Sequence, residues 1–236
     1  MIIAGLQKQS LIEYPGRISA VIFLAGCNLR CQFCYVPHLV FPERIKKIKP
    51  IPQNEVFSFL EDRKSFLEAV AISGGEPTIN KELPNFVKKI KSLGYLIELE
   101  TNGTNPEMLK KLIDKKLVDY FAMDIKQDLD FKKYNEIIGG VLTKKDFENI
   151  KKSIKILLEG KVKYEFRTTI VKEFHKKEDI LGICKKIKGT KIYFLQNYQE
   201  NETISKKTFT PFSEKEILEI IKEGQKIANI KFRSYL

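Results

Sequence analysis

Only two histidines, His38 and His175, occur among the 236 residues. This argues against a metal site built mainly of imidazole. No apolar run approaches the roughly 20 residues that span a bilayer. The opening residues, Met1-Ile2-Ile3-Ala4-Gly5, carry neither a basic region nor a cleavage site. No export signal is therefore expected, and a cytoplasmic protein is. In a reducing compartment the four cysteines point to metal or catalysis rather than to disulfides. The net charge is +12, but its lysines form no single basic block and no arginine-rich arm occurs. They are scattered as pairs, such as Lys88-Lys89, Lys110-Lys111 and Lys151-Lys152, along expected helix faces. That is the pattern of a solvated surface; nucleic acid is not indicated, and an acidic protein partner suits the charge equally well. No linker or low-complexity tract interrupts the chain, so one domain over 1–236 is expected.

What stands out is a loop over 26–35. Gly26-Cys27-Asn28-Leu29-Arg30-Cys31-Gln32-Phe33-Cys34 holds three of the four cysteines as C-x3-C-x2-C. Thiolates select iron–sulfur clusters, zinc or copper(I). Three of them can wrap one cuboidal cluster and leave a fourth metal position open for chemistry. The rival is a zinc knot with His38 as fourth ligand, which would make the loop a staple in a non-catalytic binding module. Cys184 lies on an apolar helical stripe with Ile180 and Ile187 and reads as core.

Around this loop the chain alternates strand and helix patterns. Gly5 to Arg17 ends in a turn signal, Glu13-Tyr14-Pro15-Gly16. Strands are expected over 18–24, 69–72, 95–99, 118–123, 162–171 and 191–195, with a short one over 230–233. Helices are expected from Asn54 (Val56, Phe57, Leu60 and Phe66 inward), near Leu83, from Asn105-Pro106, and from Thr143, Lys177 and Ser213. The prolines between Val36 and Pro52 suggest irregular chain. Gln127 to Leu142, with Gly139-Gly140, reads as a long connection. About six β/α units in series build a parallel sheet with helices outside, and the strand ends carry the site.

Polar motifs fall at those ends. Gly74-Gly75-Glu76-Pro77 follows the second strand; its glycines allow close backbone approach, and its carboxylate can bind an ammonium group. Glu100-Thr101-Asn102-Gly103 follows the third. Asp124-Ile125-Lys126 follows the fourth, and its two charged side chains share one face in extended chain. Arg167 lies on the fifth strand, and Gln196 and Gln199 come after the sixth. His175, in a lysine-rich turn, reads as exposed.

C-x3-C-x2-C with Phe33 before the last cysteine resembles the radical S-adenosylmethionine (SAM) superfamily. The order C-x3-C-x2-C, G-G-E-P, [DE]-T-N-G, D-x-K resembles its glycyl-radical-enzyme activases. The opening Ile2 to Lys8, with Ser10 to Gly16, resembles the longer form of the anaerobic ribonucleoside-triphosphate reductase activating proteins. The resemblance implies an incomplete (β/α)6 TIM-like barrel of α/β class, open on one side. It implies a [4Fe–4S] cluster on Cys27, Cys31 and Cys34. It places SAM among Phe33, Gly74, Gly75, Glu76, Pro77, Glu100, Thr101, Asn102, Asp124, Lys126, Arg167 and Gln199. Lys126 would pair with a SAM carboxylate, and Glu100 and Asp124 would help hold a monovalent cation. The implied partners are a glycyl radical enzyme and an electron donor such as flavodoxin or ferredoxin. An enzyme of the same superfamily acting on a small molecule or RNA, of the deazapurine-synthase kind, is the alternative. The chain departs from those activating proteins at Glu13, where they commonly carry Asp, and at Tyr35, where they often carry His.

Overall fold

In a computed structural model, which describes residues 1–234, one sheet of eight strands runs in chain order. Its strands are β1 (Ile3–Ser10), β2 (Ser19–Leu24), β3 (Ala69–Gly74), β4 (Leu96–Thr101), β5 (Tyr120–Asp124), β6 (Lys163–Ile170), β7 (Tyr193–Asn197) and β8 (Ile230–Phe232). From β2 to β8 the pairing is parallel. The crossovers carry α3 (Gln53–Asp62), α4 (Leu83–Ser92), α5 (Pro106–Asp114), α7 (Lys144–Leu158), α8 (Lys177–Lys186) and α9 (Glu214–Gly224). Each crossover returns the chain to the next position in the sheet, so spatial order equals sequence order. Among the described residues β1 and β8 are the two edges of the sheet. The sheet is thus an incomplete barrel.

Local chemistry sets the helix starts. Asn105 caps α5 by accepting Met108 N–H at 3.2 Å, and Thr143 caps α7 by accepting Asp146 N–H at 3.0 Å. Ser213 and Glu216 form the reciprocal box that opens α9. The inward stripes, such as Leu83, Phe86, Val87 and Ile90 of α4, are buried against strand residues such as Ile72, Ile97 and Leu99. Each such side chain contributes roughly 1.5–3 kcal/mol. Side chains alternate along each strand. While Ile97, Leu99, Phe121, Met123 and Phe166 join this outer core, Glu98, Glu100, Asp124, Glu165 and Arg167 take the opposite face. The barrel interior is therefore charged.

Four features depart from the sequence-based reading. The segment expected only to lead into a turn forms β1, antiparallel to β2 with two register shifts. Its polar residues Gln7 to Gln9 are exposed, which suits an edge. The proline-rich segment contains two one-turn helices, α1 (Pro37–Val40) and α2 (Pro42–Ile45), each with proline in its first turn. The long connection contains α6 (Phe131–Ile137), capped by Asp130 and burying Tyr134 and Ile137. Phe66, expected inward, lies beyond the end of α3 and is 68% exposed.

Candidate active site

The cysteine loop emerges from β2 and is held by backbone contacts. Gly26 N–H donates to Leu39 O at 2.8 Å, and Gln32 N–H to Ile137 O at 3.0 Å. Ser205 N–H donates to Gln32 O and Ile204 N–H to Cys34 O, at 3.2 and 3.1 Å. Arg30 folds back to donate to Cys27 O and Leu29 O at 2.7 and 2.8 Å. Its guanidinium also lies over the Phe41 ring, 5.4 Å from the centroid. The last turn of α6, unread in the sequence, is thus the wall against which the loop is shaped. Cys27, Cys31 and Cys34 are half-buried and line one cavity of about 440 Å³.

Gly74 and Gly75 serve this loop. Gly75 N–H donates to Leu24 O at 2.8 Å and Glu76 N–H to Gly26 O at 2.7 Å. A Cβ on Gly74 would meet Leu24 O at 2.5 Å, and Gly74 also has φ +109°. The close approach that the glycines allow is to the root of the cysteine loop. Glu76 is 1% exposed, and its carboxylate is saturated from within the chain. Oε1 accepts from Thr78 N–H, Thr78 Oγ1 and Thr101 Oγ1 (2.8 Å), and Oε2 from Asn102 N–H (2.6 Å). It stitches the G-G-E-P turn to the T-N-G turn. Asn102 then donates to Asn28 Oδ1 at 3.0 Å, tying both turns to the cysteine loop. Pro77 is buried and begins the 3₁₀ turn Pro77–Ile79 behind the wall.

The charged groups converge opposite the cysteines. Asp124 and Arg167 are register partners on β5 and β6. Arg167 Nε donates to Asp124 Oδ1 at 2.9 Å and Nη1 to Glu100 Oε1 at 2.8 Å. Lys126 Nζ donates to Asp124 Oδ2 at 2.7 Å. Burial alone would raise the Asp124 carboxyl, but the Lys126 and Arg167 charges hold it at about 2. Burial opposes the charge on Lys126, yet Asp124 and then Cys31 keep its pKa above the ordinary lysine value. Glu13 reaches the same cluster from the β1–β2 connection, where its carboxyl faces the Glu100 charge.

Lys126 is fixed at its backbone by residues the sequence did not reveal. Tyr134 Oη accepts its N–H at 3.1 Å, and His175 Nε2 lies 2.9 Å from its carbonyl oxygen. His175, expected exposed, is 2% exposed. Its Nδ1 accepts Val171 N–H at 3.1 Å, which puts the proton on Nε2 to donate to Lys126 O. Burial lowers its pKa, so this neutral form is the one favoured. A lone histidine among lysines carries no sequence signal for such a role. Cys184, by contrast, is fully buried in the core, as expected.

Of the other expected residues, Phe33 (buried), Thr101, Asn102 and the exposed Gln199 line the cavity, and so does Gln196. Tyr198 lies there too, and its buried hydroxyl has no hydrogen-bond partner among the described residues.

The donor set fits a cluster. Burial, with the Glu76 charge adding to it, pushes the Cys27 thiol up to about 11, and burial pushes Cys31 up to about 12. Metal binding would replace those protons. Among the described residues no three His, Cys, Asp or Glu side chains are drawn around a single ion. A cuboidal cluster instead takes each thiolate on its own iron. His38, the fourth ligand of the zinc-knot reading, is exposed. The cavity lies within the roughly 300–1,000 Å³ of cofactor sites, and the Tyr198 hydroxyl on its wall is a polar atom unmet among the described residues.

Comparison with known proteins agrees. A Methanocaldococcus jannaschii protein named as a glycyl-radical enzyme activating enzyme is 35% identical over 99% of this chain and 96% of its own length. An Aquifex aeolicus 7-carboxy-7-deazaguanine synthase is 31% identical over 66% of this chain and 73% of its own. A radical SAM methyltransferase from Sphaerobacter thermophilus shares the fold, with TM-score 0.70, 12% identity, and coverage of 94% of this chain and 67% of that one. No helix of the described residues is long and apolar enough to cross a membrane. The profile of the Radical SAM superfamily matches residues 21–187, more than two thirds of the chain. The chain therefore belongs to the radical SAM superfamily, enzymes that work with a [4Fe–4S] cluster and SAM, in its activase-like branch.

Proposed function

We propose that this enzyme activates a glycyl radical enzyme, and that its partner is an anaerobic ribonucleoside-triphosphate reductase. The observation that carries the reading is the shared cavity of three cysteines and the charged ends of β4, β5 and β6. Cys27, Cys31 and Cys34 would hold the cluster. When bound, it would supply the hard chemistry: with one electron from a flavodoxin- or ferredoxin-like donor, cleavage of SAM to methionine and a 5′-deoxyadenosyl radical, which would take hydrogen from a glycine Cα of the partner.

The chain's own residues position and shield. Lys126 offers its ammonium to the SAM carboxylate. Glu100 and Asp124 face the ammonium and hydroxyl groups of the ligand, with Thr101, Asn102 and Gln199 as further polar contacts. Gly74, Gly75, Glu76 and Pro77 keep the wall in place, and buried Phe33 packs behind the loop. The mouth supports a polypeptide substrate: Ile12 and Tyr35 line it yet remain 57% and 70% exposed, with Leu11 beside them at 68%. Such an apolar lip suits an extended loop.

The test is to mix the reduced, reconstituted enzyme with the reductase and SAM under anaerobic conditions. The reading expects a glycyl radical doublet in the paramagnetic resonance spectrum. The likeness to the deazaguanine synthase supports a second reading, a small-molecule substrate. SAM cleavage with no doublet on any glycyl radical partner, together with formation of a deazaguanine product, would favour that one.

A further inference from the structure

The resemblance to activases implies a monovalent cation held by Glu100 and Asp124. The residues present do not fit one. Arg167 occupies the space between the two carboxylates, with Nη1 2.8 Å from Glu100 Oε1 and Nε 2.9 Å from Asp124 Oδ1. The remaining oxygens are also taken: Ser73 Oγ donates to Glu100 Oε2, and Lys126 Nζ donates to Asp124 Oδ2 at 2.7 Å. All four carboxylate oxygens thus face a donated proton, and two of the donor groups are cations. A metal ion seated there would have to share these oxygens with those donors and sit beside a guanidinium that cannot lose its charge.

We infer that Arg167 is the resident cation of this site, so that the chain needs no monovalent metal ion to neutralise Glu100 and Asp124. The inference rests on the activase-like reading only in naming the site; the ion pairs stand without it. The geometry is built, since the Arg167 side chain is 6% exposed and reaches carboxylates on two other strands. Arg167 and Lys126 pair with Glu100 and Asp124 without an added ion; Glu13 also lies at this cluster, and burial with the Glu100 charge raises its carboxyl toward the protonated form. A guanidinium also suits the role, because its planar fork can bridge two carboxylates with fixed hydrogen bonds.

The experiment compares thermal unfolding of the full chain in potassium, sodium and choline chloride at one ionic strength. In parallel, SAM binding to the anaerobically reconstituted protein is measured by equilibrium dialysis in each salt. The wild type is expected to melt at the same temperature, and to bind SAM equally, in all three. Arg167→Ala is expected to gain a potassium- or sodium-specific rise of roughly 5 °C at high excess, while Arg167→Lys stays indifferent. A wild-type midpoint several degrees higher in potassium or sodium than in choline overturns the inference, as does a tenfold loss of SAM affinity in choline. If Arg167→Ala does not fold, the wild-type comparison still decides. SAM bound in none of the salts would sink the proposed function instead, and the melting comparison would still judge Arg167.

Discussion

Gly75 lies so close to Gly26 that a Cβ on Gly75 would fall 2.1 Å from the Gly26 carbonyl oxygen. Both partners are backbone, so neither can yield by changing rotamer. Gly75→Ala is expected to push the root of the cysteine loop out of place. The cost should be roughly 3 kcal/mol of stability or more, at the top of the range for overpacking. Iron bound per chain after reconstitution should fall well below that of the wild type. Retention of a full cluster and wild-type urea stability would refute this account of the glycine.

Beneath the site, Arg233 forks onto the carboxylate of Glu165 at 2.6 and 2.7 Å, and Glu165 is 1% exposed. Tyr120 Oη also donates to Glu165 at 2.7 Å, and Arg233 lies 3.7 Å over the centre of the Phe194 ring. Arg233→Ala would leave a buried carboxylate without its cation. Urea unfolding at pH 7.5 should show a loss of roughly 3–5 kcal/mol. A loss below 1 kcal/mol would mean that this pair does not anchor the C-terminal segment to the barrel.

Burial first, and the charge of Glu100 next, raise the Glu13 carboxyl from 4.5 to about 7, against the pull of Arg167. A carboxyl whose folded pKa is raised contributes stability that is full below pH 4.5 and lost as pH rises through 7. Glu98, buried beside Glu100 and also raised, adds a background of the same sign. The comparison is therefore between variants: Glu13→Gln should lose less stability than the wild type between pH 5 and pH 8. The difference should be roughly 1–3 kcal/mol, reduced from the full linkage value because Glu13 sits at a solvent-reached mouth. Parallel pH profiles would contradict the pairing with Glu100.

His175 would act on SAM only through Lys126, whose carbonyl oxygen lies 2.9 Å from its Nε2. Replacing it with phenylalanine keeps the bulk but leaves the Lys126 carbonyl and the Val171 N–H without their partner. Stability should fall by roughly 1–3 kcal/mol. SAM affinity, measured well below the variant's melting temperature, should fall several-fold because the lysine backbone is no longer pinned. Weakened stability with unchanged SAM affinity would make His175 purely structural.

Much of the barrel was legible in the sequence because parallel strands buried on one side by helices leave apolar runs, and helix starts leave caps. β4 to β7 fall within a few residues of expectation, and Glu100, Asp124 and Lys126 arrive at the strand ends where α/β geometry puts them. The edges were harder to read. β1 is a polar edge strand interrupted by register shifts. α6 is only seven residues long and ends before Gly139-Gly140, although Asp130 followed by Phe131, Tyr134 and Ile137 was a readable cap and stripe. Roles made by tertiary contact left no local trace: Glu76 as a clamp between turns, Gly75 against Gly26, and His175 under Lys126. A sequence shows a residue's type and its neighbours along the chain, and these three act on neighbours across it.

The central claim is that Cys27, Cys31 and Cys34 hold a cluster that cleaves SAM in this cavity. It is tested most directly by reconstituting the protein with iron and sulfide under anaerobic conditions, reducing it, adding SAM and quantifying 5′-deoxyadenosine. The account predicts a brown protein that forms 5′-deoxyadenosine and methionine, and the loss of that activity when any one of the three cysteines is replaced by alanine while Cys184→Ala retains it. A colourless protein with stoichiometric zinc, or cleavage that survives Cys31→Ala, would contradict it.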